Sequence, residues 1–305
     1  MRILVALGGN ALLRRHERPD AAVQQANARR AALALAPLFA EHEVVITHGN
    51  GPQVGVLAVQ SASDPHLSTP YPFDVLGAQT QGMIGYWLLQ ELHNAVPGRR
   101  VAAIINQTEV DPADPAFTNP TKFIGETYTH EEALELATTR GWSVHPDGDG
   151  WRRVVGSPQP REVVETDLIR LLLDSGAIVV CAGGGGVPVV RDGADRLHGV
   201  EAVVDKDLTG AVLARALDAD ALLVLTDVPA VLRDYGTPQQ AEIGEIDAAS
   251  LRAMRFPAGS MGPKVEAACR FVEGGGKFAV IGSLDDPIAL LDGRSGTRVT
   301  APALG

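Results

Sequence analysis

The chain has 305 residues, of which 45% are hydrophobic, enough for one large α/β domain or two smaller ones. Its formal net charge of −11 argues against a general nucleic-acid or membrane-surface binder, because such proteins bind through basic faces. The two cysteines lack zinc-site spacing, and the longest apolar stretch, about ten residues, is too short to cross a bilayer, so we expect a cytoplasmic protein.

Apolar strands alternate with helical patterns along the chain. The strands are near-continuous runs of Val, Ile, Leu and Ala, which is typical of a parallel sheet covered on both faces. The predicted strands are residues 2–7, 43–48, 100–106, 177–183, 221–226 and 277–283, and the predicted helices are residues 20–42, 75–95, 162–174, 207–218 and 262–273. This order predicts a doubly wound α/β fold, in which ligands bind beyond the carboxyl ends of the strands.

Residues 111–160 interrupt this alternation. The segment is rich in Pro, Gly, Asp and Thr, and it carries Trp142 and Trp151. We predict a small excursion from the main sheet, made of hairpins and a short helix at residues 130–140.

Three predicted strands end in glycine-rich turns. These turns are Gly8-Gly9-Asn10, Gly49-Asn50-Gly51 and Gly183 to Gly186. A glycine turn ahead of a helix lets backbone N–H groups approach an anion, and three such turns at one sheet edge predict a single cleft. However, no lysine or arginine lies between Ile3 and Leu13, so the charge that balances a bound phosphate has to come from elsewhere.

Two phosphate-binding motifs are imitated by these turns, and both matches are weak. The sequence "GNGPQVG" resembles a dinucleotide fingerprint, which needs an acidic residue at the end of the next strand. Asp74 has the right separation but lies among prolines, which argue against a strand end there. The run "GGGG" lacks the Gly-Lys-Ser/Thr of a P-loop.

The chain uses 22 arginines but only four lysines. A lysine is a compact point charge on a flexible stem, so a tight phosphate pocket can require it where an arginine would not fit. Lys122 lies in the excursion, Lys206 lies between two aspartates, and Lys264 lies in the first turn of a predicted helix. We expect these three to bring charge to the glycine cleft, and we interpret Lys277 as a solvated turn residue.

Ten motifs occur in order between residues 6 and 268: "ALGGNA", "THGNGPQVG", "TQGMIGYWL", "VDPADPAF", "NPTKFIG", "GWRRVV", "CAGGGGVPVV", "GVEAVVDKDLTG", "LLVLTDV" and "FPAGSMGPKVEAA". Together they resemble the carbamate kinases of the amino acid kinase family, and the resemblance extends from residue 3 to beyond residue 280. The resemblance implies one domain over residues 1–305, a three-layer αβα sandwich with a mainly parallel central sheet of about eight strands. It also implies a small protruding subdomain at residues 112–160, and homodimers.

The implied reaction is ATP + carbamate ⇌ ADP + carbamoyl phosphate, with Mg²⁺ as cofactor, running toward ATP in arginine or purine-derived catabolism. Related kinases of the wider family carry a lysine in the first loop, where this chain has Ala6-Leu7. Carbamate kinases lack it too, and their subdomain supplies a lysine at the position that Lys122 matches. Because carbamate is already an anion, its oxygen needs no general base.

The resemblance also assigns roles to residues. The catalytic residues are Lys122, Lys206, Asp207 and Lys264; an ordinary helix N-cap is the alternative for Asp207. Carbamate and the phosphoryl group are held by backbone N–H groups of Gly8, Gly9, Gly49 and Gly51 and by the side chains of Asn10 and Asn50. The nucleotide is bound by Gly184, Gly185, Thr226, Asp227, Met261 and Pro263, and no side chain is assigned to bind the metal.

Several alternatives stay open from the sequence. His48 is either a general base or a structural histidine, and Arg152 and Arg153 either guard the entrance or form salt bridges in the subdomain. At the level of function, the rivals are a sister kinase for another small carboxylate, a non-catalytic sensor of carbamoyl phosphate or nucleotide, and a NAD-binding module.

Overall fold

The apolar runs of the sequence form strands in a computed structural model of the chain, which describes residues 1–14, 17–256 and 261–302, with Asn10 described through its backbone alone. Within those residues the strands are β1 (Arg2–Leu7), β2 (Glu43–His48), β3 (Val101–Ala103), β4 (Gln107–Val110), β5 (Lys122–Tyr128), β6 (Ser143–Asp147), β7 (Gly150–Val155), β8 (Pro160–Val163), β9 (Ile178–Val180), β10 (Val187–Arg191), β11 (Leu197–Gly199), β12 (Ala221–Thr226), β13 (Leu232–Arg233), β14 (Ala241–Glu242), β15 (Glu245–Asp247), β16 (Phe278–Ser283) and β17 (Thr297–Thr300).

The helices of the same residues are α1 (Gly9–Leu12), α2 (Ala21–Leu35), α3 (Gly51–Ser63), α4 (Phe73–Ala95), α5 (His130–Arg140), α6 (Thr166–Asp174), α7 (Lys206–Ala216), α8 (Ala248–Ala253), α9 (Met261–Glu273) and α10 (Pro287–Leu291). Short 3₁₀ helices lie at Ala36–Ala40, Pro115–Phe117 and Gly183–Gly185. In the part of the chain that is described, none of these helices has the length and apolarity to cross a membrane.

Eight strands form the central sheet, in the order β15-β17-β16-β12-β1-β2-β9-β3. Neighbouring strands are parallel, with the single exception of the antiparallel pair β16 and β17. The predicted α/β class and the mainly parallel eight-stranded sheet are therefore confirmed.

Both faces of the sheet are covered by helices. Successive side chains of a strand point to opposite faces, so each strand contributes residues to both apolar clusters. In β1, Ile3, Val5 and Leu7 join the apolar cluster under α2, α4 and α10, whereas Leu4 and Ala6 join the cluster under α6, α7, α8 and α9. The result is a helix–sheet–helix sandwich, which we call the body of the protein. The carboxyl ends of its parallel strands share one edge, where the glycine turns lie.

The structure differs from the predicted elements at several places, and one of them is the strand predicted over residues 177–183, which ends at Val180. The turn predicted at "GNGPQVG" is the start of α3, because Pro52 in its first turn has a backbone angle suited to a helix. The helix predicted over residues 20–42 ends at Leu35, and a 3₁₀ helix with Pro37 near its start follows. The helix predicted from residue 162 begins at Thr166, after β8, and the strand predicted over residues 100–106 ends at Ala103.

The excursion forms a sheet of its own, in the order β5-β7-β6, beside α5. Helix α5 begins with a capping box between Thr129 and Glu132 and ends at Gly141 in the left-handed conformation. We call β5, α5, β6 and β7 the subdomain. It packs on the body through an apolar cluster made of Val54, Phe73, Leu76, Ile124, Val155 and Val203. A four-stranded sheet, in the order β11-β10-β4-β8, completes the larger elements.

Candidate active site

The three glycine turns meet at the edge of the central sheet. A Cβ atom on Gly49 would stand 2.9 Å from the backbone nitrogen of Gly9, closer than real Cβ contacts come. A Cβ atom on Gly184 would overlap the side-chain amide of Asn50, and Gly184 also has a φ of +62°, which side chains rarely adopt. The turns are therefore glycine-rich because they pack backbone against backbone, and Gly9, Gly49, Asn50, Gly51 and Gly184 line one cleft.

The hydrogen bonds of these turns revise the predicted amide donors. The N–H of Gly8 donates to the carbonyl of Leu225 at 2.9 Å, and the N–H of Gly49 donates to that of Leu7 at 3.0 Å. Both amides thus extend the sheet hydrogen bonding and are not directed at a ligand. Gly9 and Gly51 instead open helices α1 and α3, where the first N–H groups have no acceptor within the helix.

Lysines from three separate stretches of chain reach the same cleft, whose volume is about 210 Å³. Lys122 begins β5 in the subdomain, Lys206 begins α7, and Lys264 lies in the first turn of α9. This arrangement places positive charge over the first glycine turn, which has no cation of its own. Lys277 lies elsewhere, 68% exposed and 2.6 Å from Asp220, as a solvated ion pair.

Asp207 lies between two of these ammonium groups. One of its oxygens accepts from Lys206, and the other lies 3.0 Å from the Nζ of Lys264. Its carboxylate is only 4% exposed. Burial alone would raise the pKa of Asp207, but the two ammonium groups outweigh it and hold that pKa well below its usual range. Asp207 is therefore ionised at neutral pH and fixes both lysines.

The two lysines respond differently to the shared carboxylate. Burial lowers the pKa of Lys206, and Lys264 nearby lowers it further, although Asp207 acts in the opposite sense. For Lys264, burial also acts to lower the pKa, but attraction to Asp207 prevails and raises it. The pair thus holds positive charge in a nearly dry setting, where an approaching anion would be strongly attracted.

Asp205 is a residue of the cleft that the sequence reasoning did not assign. One of its oxygens caps α7 by accepting from the backbone N–H of Asp207 at 2.9 Å, and the other lies 3.1 Å from the Nζ of Lys122. The signal was present, because an aspartate before a predicted helix start is a common N-cap. The capping role weighed as the alternative for Asp207 thus belongs to Asp205.

Three ammonium groups and two carboxylates face this cleft among its described residues. The local balance is positive, in a chain whose formal net charge is −11. Such a site can hold two mutually repelling anions close together and stabilise charge that develops on a transferring group.

The residues predicted to bind nucleotide do not all face this cleft. Gly184 and Pro263 line it. Gly185 is buried, and its carbonyl accepts hydrogen bonds from Thr108 and Thr209. Met261 packs against the apolar cluster that covers one face of the sheet.

Thr226 and Asp227 line a neighbouring cavity of about 330 Å³, together with Arg14 and Arg30. The nucleotide assignments of the sequence therefore stay predictions. Those that reach the lysine cleft directly are Gly184 and Pro263.

Asn50 is one of the two asparagines predicted to donate to carbamate. Asn50 is buried and donates from its side-chain nitrogen to the hydroxyl of Thr80 at 2.9 Å. A side-chain amide carries two donor hydrogens, so one remains for a ligand in the cleft. The side chain of Asn10 lies outside the described residues.

His48 lies under the second glycine turn. It is buried, and its Nδ1 lies 3.1 Å from the carbonyl oxygen of Gly49, so that nitrogen carries the proton and donates. Burial lowers the pKa of His48 to about 4, with a further contribution from the charge of Lys206. The ring is therefore neutral at pH 7, and its neighbour Gly183 has no room for a side chain beside it. These contacts favour a structural histidine over a general base.

The two arginines of "GWRRVV" make different contacts. Arg152 lies 2.8 Å from Asp147 in the same hairpin, which is the predicted kind of subdomain salt bridge. Arg153 instead contacts Glu201 at 3.5 Å, across to the body. Neither side chain lines the lysine cleft.

The contacts of the "GNGPQVG" segment argue against a dinucleotide fingerprint. Its last glycine, Gly55, lies on α3 against Gly125 of β5, and a Cβ atom there would stand 2.9 Å from the Cα of Gly125. Asp74, the candidate ribose-binding acid, lies in the first turn of α4 and not at a strand end. Gly55 is therefore explained by how closely α3 and the subdomain approach.

The sequence and fold both match known proteins. The pattern of the Amino acid kinase family matches residues 1–283. The carbamate kinase of Rhizobium meliloti (strain 1021) is 52% identical, over 99% of this chain and 94% of that protein. The carbamate kinase of Haemophilus influenzae is 51% identical, over 100% of this chain and 98% of that protein.

Among solved structures, the carbamate kinase from Giardia lamblia bound to AMP-PNP superimposes with a TM-score of 0.91 and 40% identity, covering 99% of this chain and 98% of that one. The matches cover 99–100% of this chain, so they span both the body and the subdomain. The chain therefore belongs to the amino acid kinase family and, within it, to the carbamate kinases.

Proposed function

We propose that this protein catalyses reversible phosphoryl transfer between ATP and carbamate, giving ADP and carbamoyl phosphate, with Mg²⁺. The observation that carries the proposal is the convergence of Lys122, Lys206 and Lys264 on one glycine-lined cleft. The names of the relatives support the choice of carbamate as acceptor. The ligand named for the Giardia lamblia structure, AMP-PNP, is an ATP analogue and supports the choice of nucleotide.

In this proposal the protein acts chiefly by positioning and by charge. Carbamate and ATP are both anions, and ammonium groups from different segments would hold them against their mutual repulsion. Lys264 would bind the β- and γ-phosphates near the start of α9, Lys206 would contact the nucleotide phosphates across the transfer line, and Lys122 would act on the carbamate side. Asp207 would keep the two body lysines aimed at the phosphates.

No proton needs to be removed from the carbamate oxygen, which is already anionic. His48 fits this requirement as a buried, neutral ring hydrogen-bonded to the chain. Amides at Gly9 and Gly51 and the remaining hydrogen of Asn50 would orient the carbamate and the phosphoryl group, with Asn10 as a further donor.

Mg²⁺ would come with the nucleotide. This ion commonly keeps several waters and binds phosphate oxygens with one or two carboxylates. Within the described residues, no cluster of three or more His, Cys, Asp or Glu side chains is arranged to hold an ion. When bound, it would neutralise charge on the phosphates, while the lysines orient them.

The direct test is to mix the purified protein with ADP, Mg²⁺ and carbamoyl phosphate and to follow ATP. We expect ATP to form, and to form poorly when Mg²⁺ is chelated. Acetyl phosphate and acetylglutamate with the matching nucleotide test the sister-kinase alternative. Binding of carbamoyl phosphate without turnover would support the sensor instead. Comparing both directions at cellular reactant concentrations tests the proposed role in supplying ATP during arginine or purine-derived catabolism.

We also propose a homodimer, as the resemblance implies, formed at the β3 edge of the central sheet. Apolar side chains are exposed there: Tyr86 of α4, which packs beside β3, is 57% exposed, and Ile105 just after β3 is 55% exposed. Sedimentation of the Tyr86→Glu/Ile105→Glu variant should show monomers. Tyr235→Glu, at a residue 77% exposed beyond β13, is the control and should leave the assembly unchanged.

A further inference from the structure

Arg153 lies on the same face of the subdomain sheet as Lys122. In the antiparallel pair β5–β7, Lys122 is opposite Val155 and Ile124 is opposite Arg153. Directly opposed residues and alternate residues of a strand share a face. Ile124 and Val155 both belong to the apolar cluster that packs against the body, so Arg153 and Lys122 also face the body.

The side chain of Arg153 spans the junction between subdomain and body. Its guanidinium carbon lies 4.6 Å from the ring centre of Trp142, in the subdomain, and 4.7 Å from that of Phe73, the first residue of α4 in the body. Its Nη2 lies 3.5 Å from Glu201, and the side chain is only 20% exposed. A largely buried guanidinium between two aromatic rings is bound more strongly than a cation in a solvent-exposed ion pair.

Glu201 connects this contact to the cleft. Its other carboxylate oxygen accepts from the backbone N–H of Phe73 at 2.8 Å, which fixes the carboxylate at the start of α4. Residues 201–205 then lead directly to Asp205, whose carboxylate holds the Nζ of Lys122 at 3.1 Å. One segment of the body thus holds the subdomain at two points, through Arg153 and through Lys122.

We propose that Arg153 is a positioning residue, which clamps the subdomain onto the body so that the ammonium group of Lys122 reaches the cleft. The inference rests on the proposed function in treating Lys122 as a catalytic residue. Without the clamp, the three-stranded sheet would keep its own hydrogen bonds but would pivot about the close Gly55–Gly125 contact. Lys122 would then be displaced while the body lysines stayed in place.

The test compares Arg153→Ala with Arg152→Ala. Arg152 is the neighbouring residue on the opposite face, and its ion pair with Asp147 stays within the subdomain. We expect Arg153→Ala to lower kcat about 10- to 100-fold through misplacement of Lys122. The KM for ADP should stay within about twofold, because Lys206 and Lys264 are untouched. Arg152→Ala should keep kcat within about twofold, and Arg153→Lys should recover part of the loss, since an ammonium keeps the charge.

Hydrogen exchange gives a readout that does not depend on turnover. In Arg153→Ala, amides of β5 should exchange faster than in the wild-type protein, while amides of β1 and β12 in the body should be unchanged. Arg152→Ala should leave exchange in β5 as it is. If the wild-type protein forms no ATP, the proposed function fails, and the exchange comparison still decides whether Arg153 clamps the subdomain.

The inference is overturned if Arg153→Ala keeps wild-type kcat and wild-type exchange in β5. It is also overturned if Arg152→Ala loses as much kcat as Arg153→Ala, or if the loss appears in the KM for ADP with kcat unchanged.

Discussion

The two halves of the site are built in different ways. The body half consists of Lys206, Asp207 and Lys264, on two helices packed against the central sheet, and its lysine side chains are 11% and 15% exposed. The subdomain half is Lys122, 29% exposed, on a three-stranded sheet that packs on the body through a small apolar cluster. The two lysines of the body half are held in place by the buried carboxylate of Asp207, whereas Lys122 reaches the cleft through the docking of the subdomain on the body.

This difference teaches how one cleft can be both stable and adjustable. Burying three charged groups together lowers stability unless each has its partner, so the body half cannot change without cost to the fold. Lys122 and its partner Asp205 are 29% and 18% exposed, so solvent screens this ion pair more than it screens the pairs that Asp207 makes. Removing the Lys122 pair should therefore cost less stability than removing the carboxylate of Asp207.

The largest expected effect separates the two halves by function. Lys122→Ala should lower turnover by about 10²-fold or more while nucleotide binding survives, because Lys206 and Lys264 remain. Lys264→Ala should weaken nucleotide binding as well. Steady-state kinetics and calorimetric titration with ADP measure both, and Lys277→Ala, at the other end of the sheet, is the matched control. Full turnover by Lys122→Ala would show that the subdomain contributes no charge to the reaction.

The next effect concerns stability. Asp207→Asn leaves two buried ammonium groups without their counter-charge and should lower the free energy of unfolding by about 3–5 kcal/mol. Asp205→Asn keeps a good N-cap and loses only a partly exposed ion pair, so it should cost less than about 1 kcal/mol. Urea denaturation at pH 7 compares them. Equal losses of unfolding free energy in the two variants would contradict the proposed difference between Asp207 and Asp205.

The body of the protein, which contains His48 at the end of β2, should also lose stability at acid pH. The pKa of His48 is about 4 in the folded protein and about 6.5 in an unfolded chain, so between these values the unfolded state binds the extra proton. Stability from the neutral ring is complete above pH 6.5 and is lost as the pH falls toward 4, by about 3 kcal/mol in all.

Urea denaturation of His48→Gln between pH 6.5 and pH 4 should show no such loss in the free energy of unfolding. His66→Gln, at an exposed position, should show the same change of unfolding free energy with pH as the wild-type protein. If His48→Gln and the wild-type protein lose stability in parallel, another group causes the acid sensitivity.

The smallest effect tests how closely the halves approach. Gly55→Ala places a Cβ atom 2.9 Å from the Cα of Gly125, so either α3 or β5 has to move, and the free energy of unfolding should fall by about 1–3 kcal/mol. Gly77→Ala, also in a helix, has no atom within 4 Å of its new Cβ and should be neutral or stabilising by up to about 1 kcal/mol. Thermal unfolding compares the two variants. If Gly55→Ala is as stable as the wild-type protein, α3 and β5 can accommodate a Cβ atom at their contact.

Much of the body could be predicted from short-range patterns. Continuous apolar runs gave β1, β2 and β12 with the bounds that the structure has, because strands buried on both faces need apolar residues at every position. Several of the misplaced bounds lie where a proline or a sheet contact decided the element. Pro52 began α3 inside a predicted turn, and pairing with β4 turned residues 160–163 into a strand.

The candidate site was predictable in its residue types more than in its geometry. Scarce lysines beside glycine turns indicated which charges would matter, because lysine chemistry differs from arginine chemistry whatever the fold. The ion pairs were not predictable, since Lys122 lies 83 residues from Asp205 and Lys264 lies 57 residues from Asp207. The sequence also did not indicate that the N–H groups of Gly8 and Gly49 donate hydrogen bonds to neighbouring strands.

The sequence by itself determined the layered α/β architecture, the glycine turns and the three lysines, because hydrophobic patterning, backbone freedom and side-chain chemistry are local properties. The tertiary structure decided which carboxylate holds which lysine, that Arg153 faces the body while Arg152 does not, and that Gly55 serves close packing. These outcomes depend on which strands and helices meet, and the packing of the whole chain settles that.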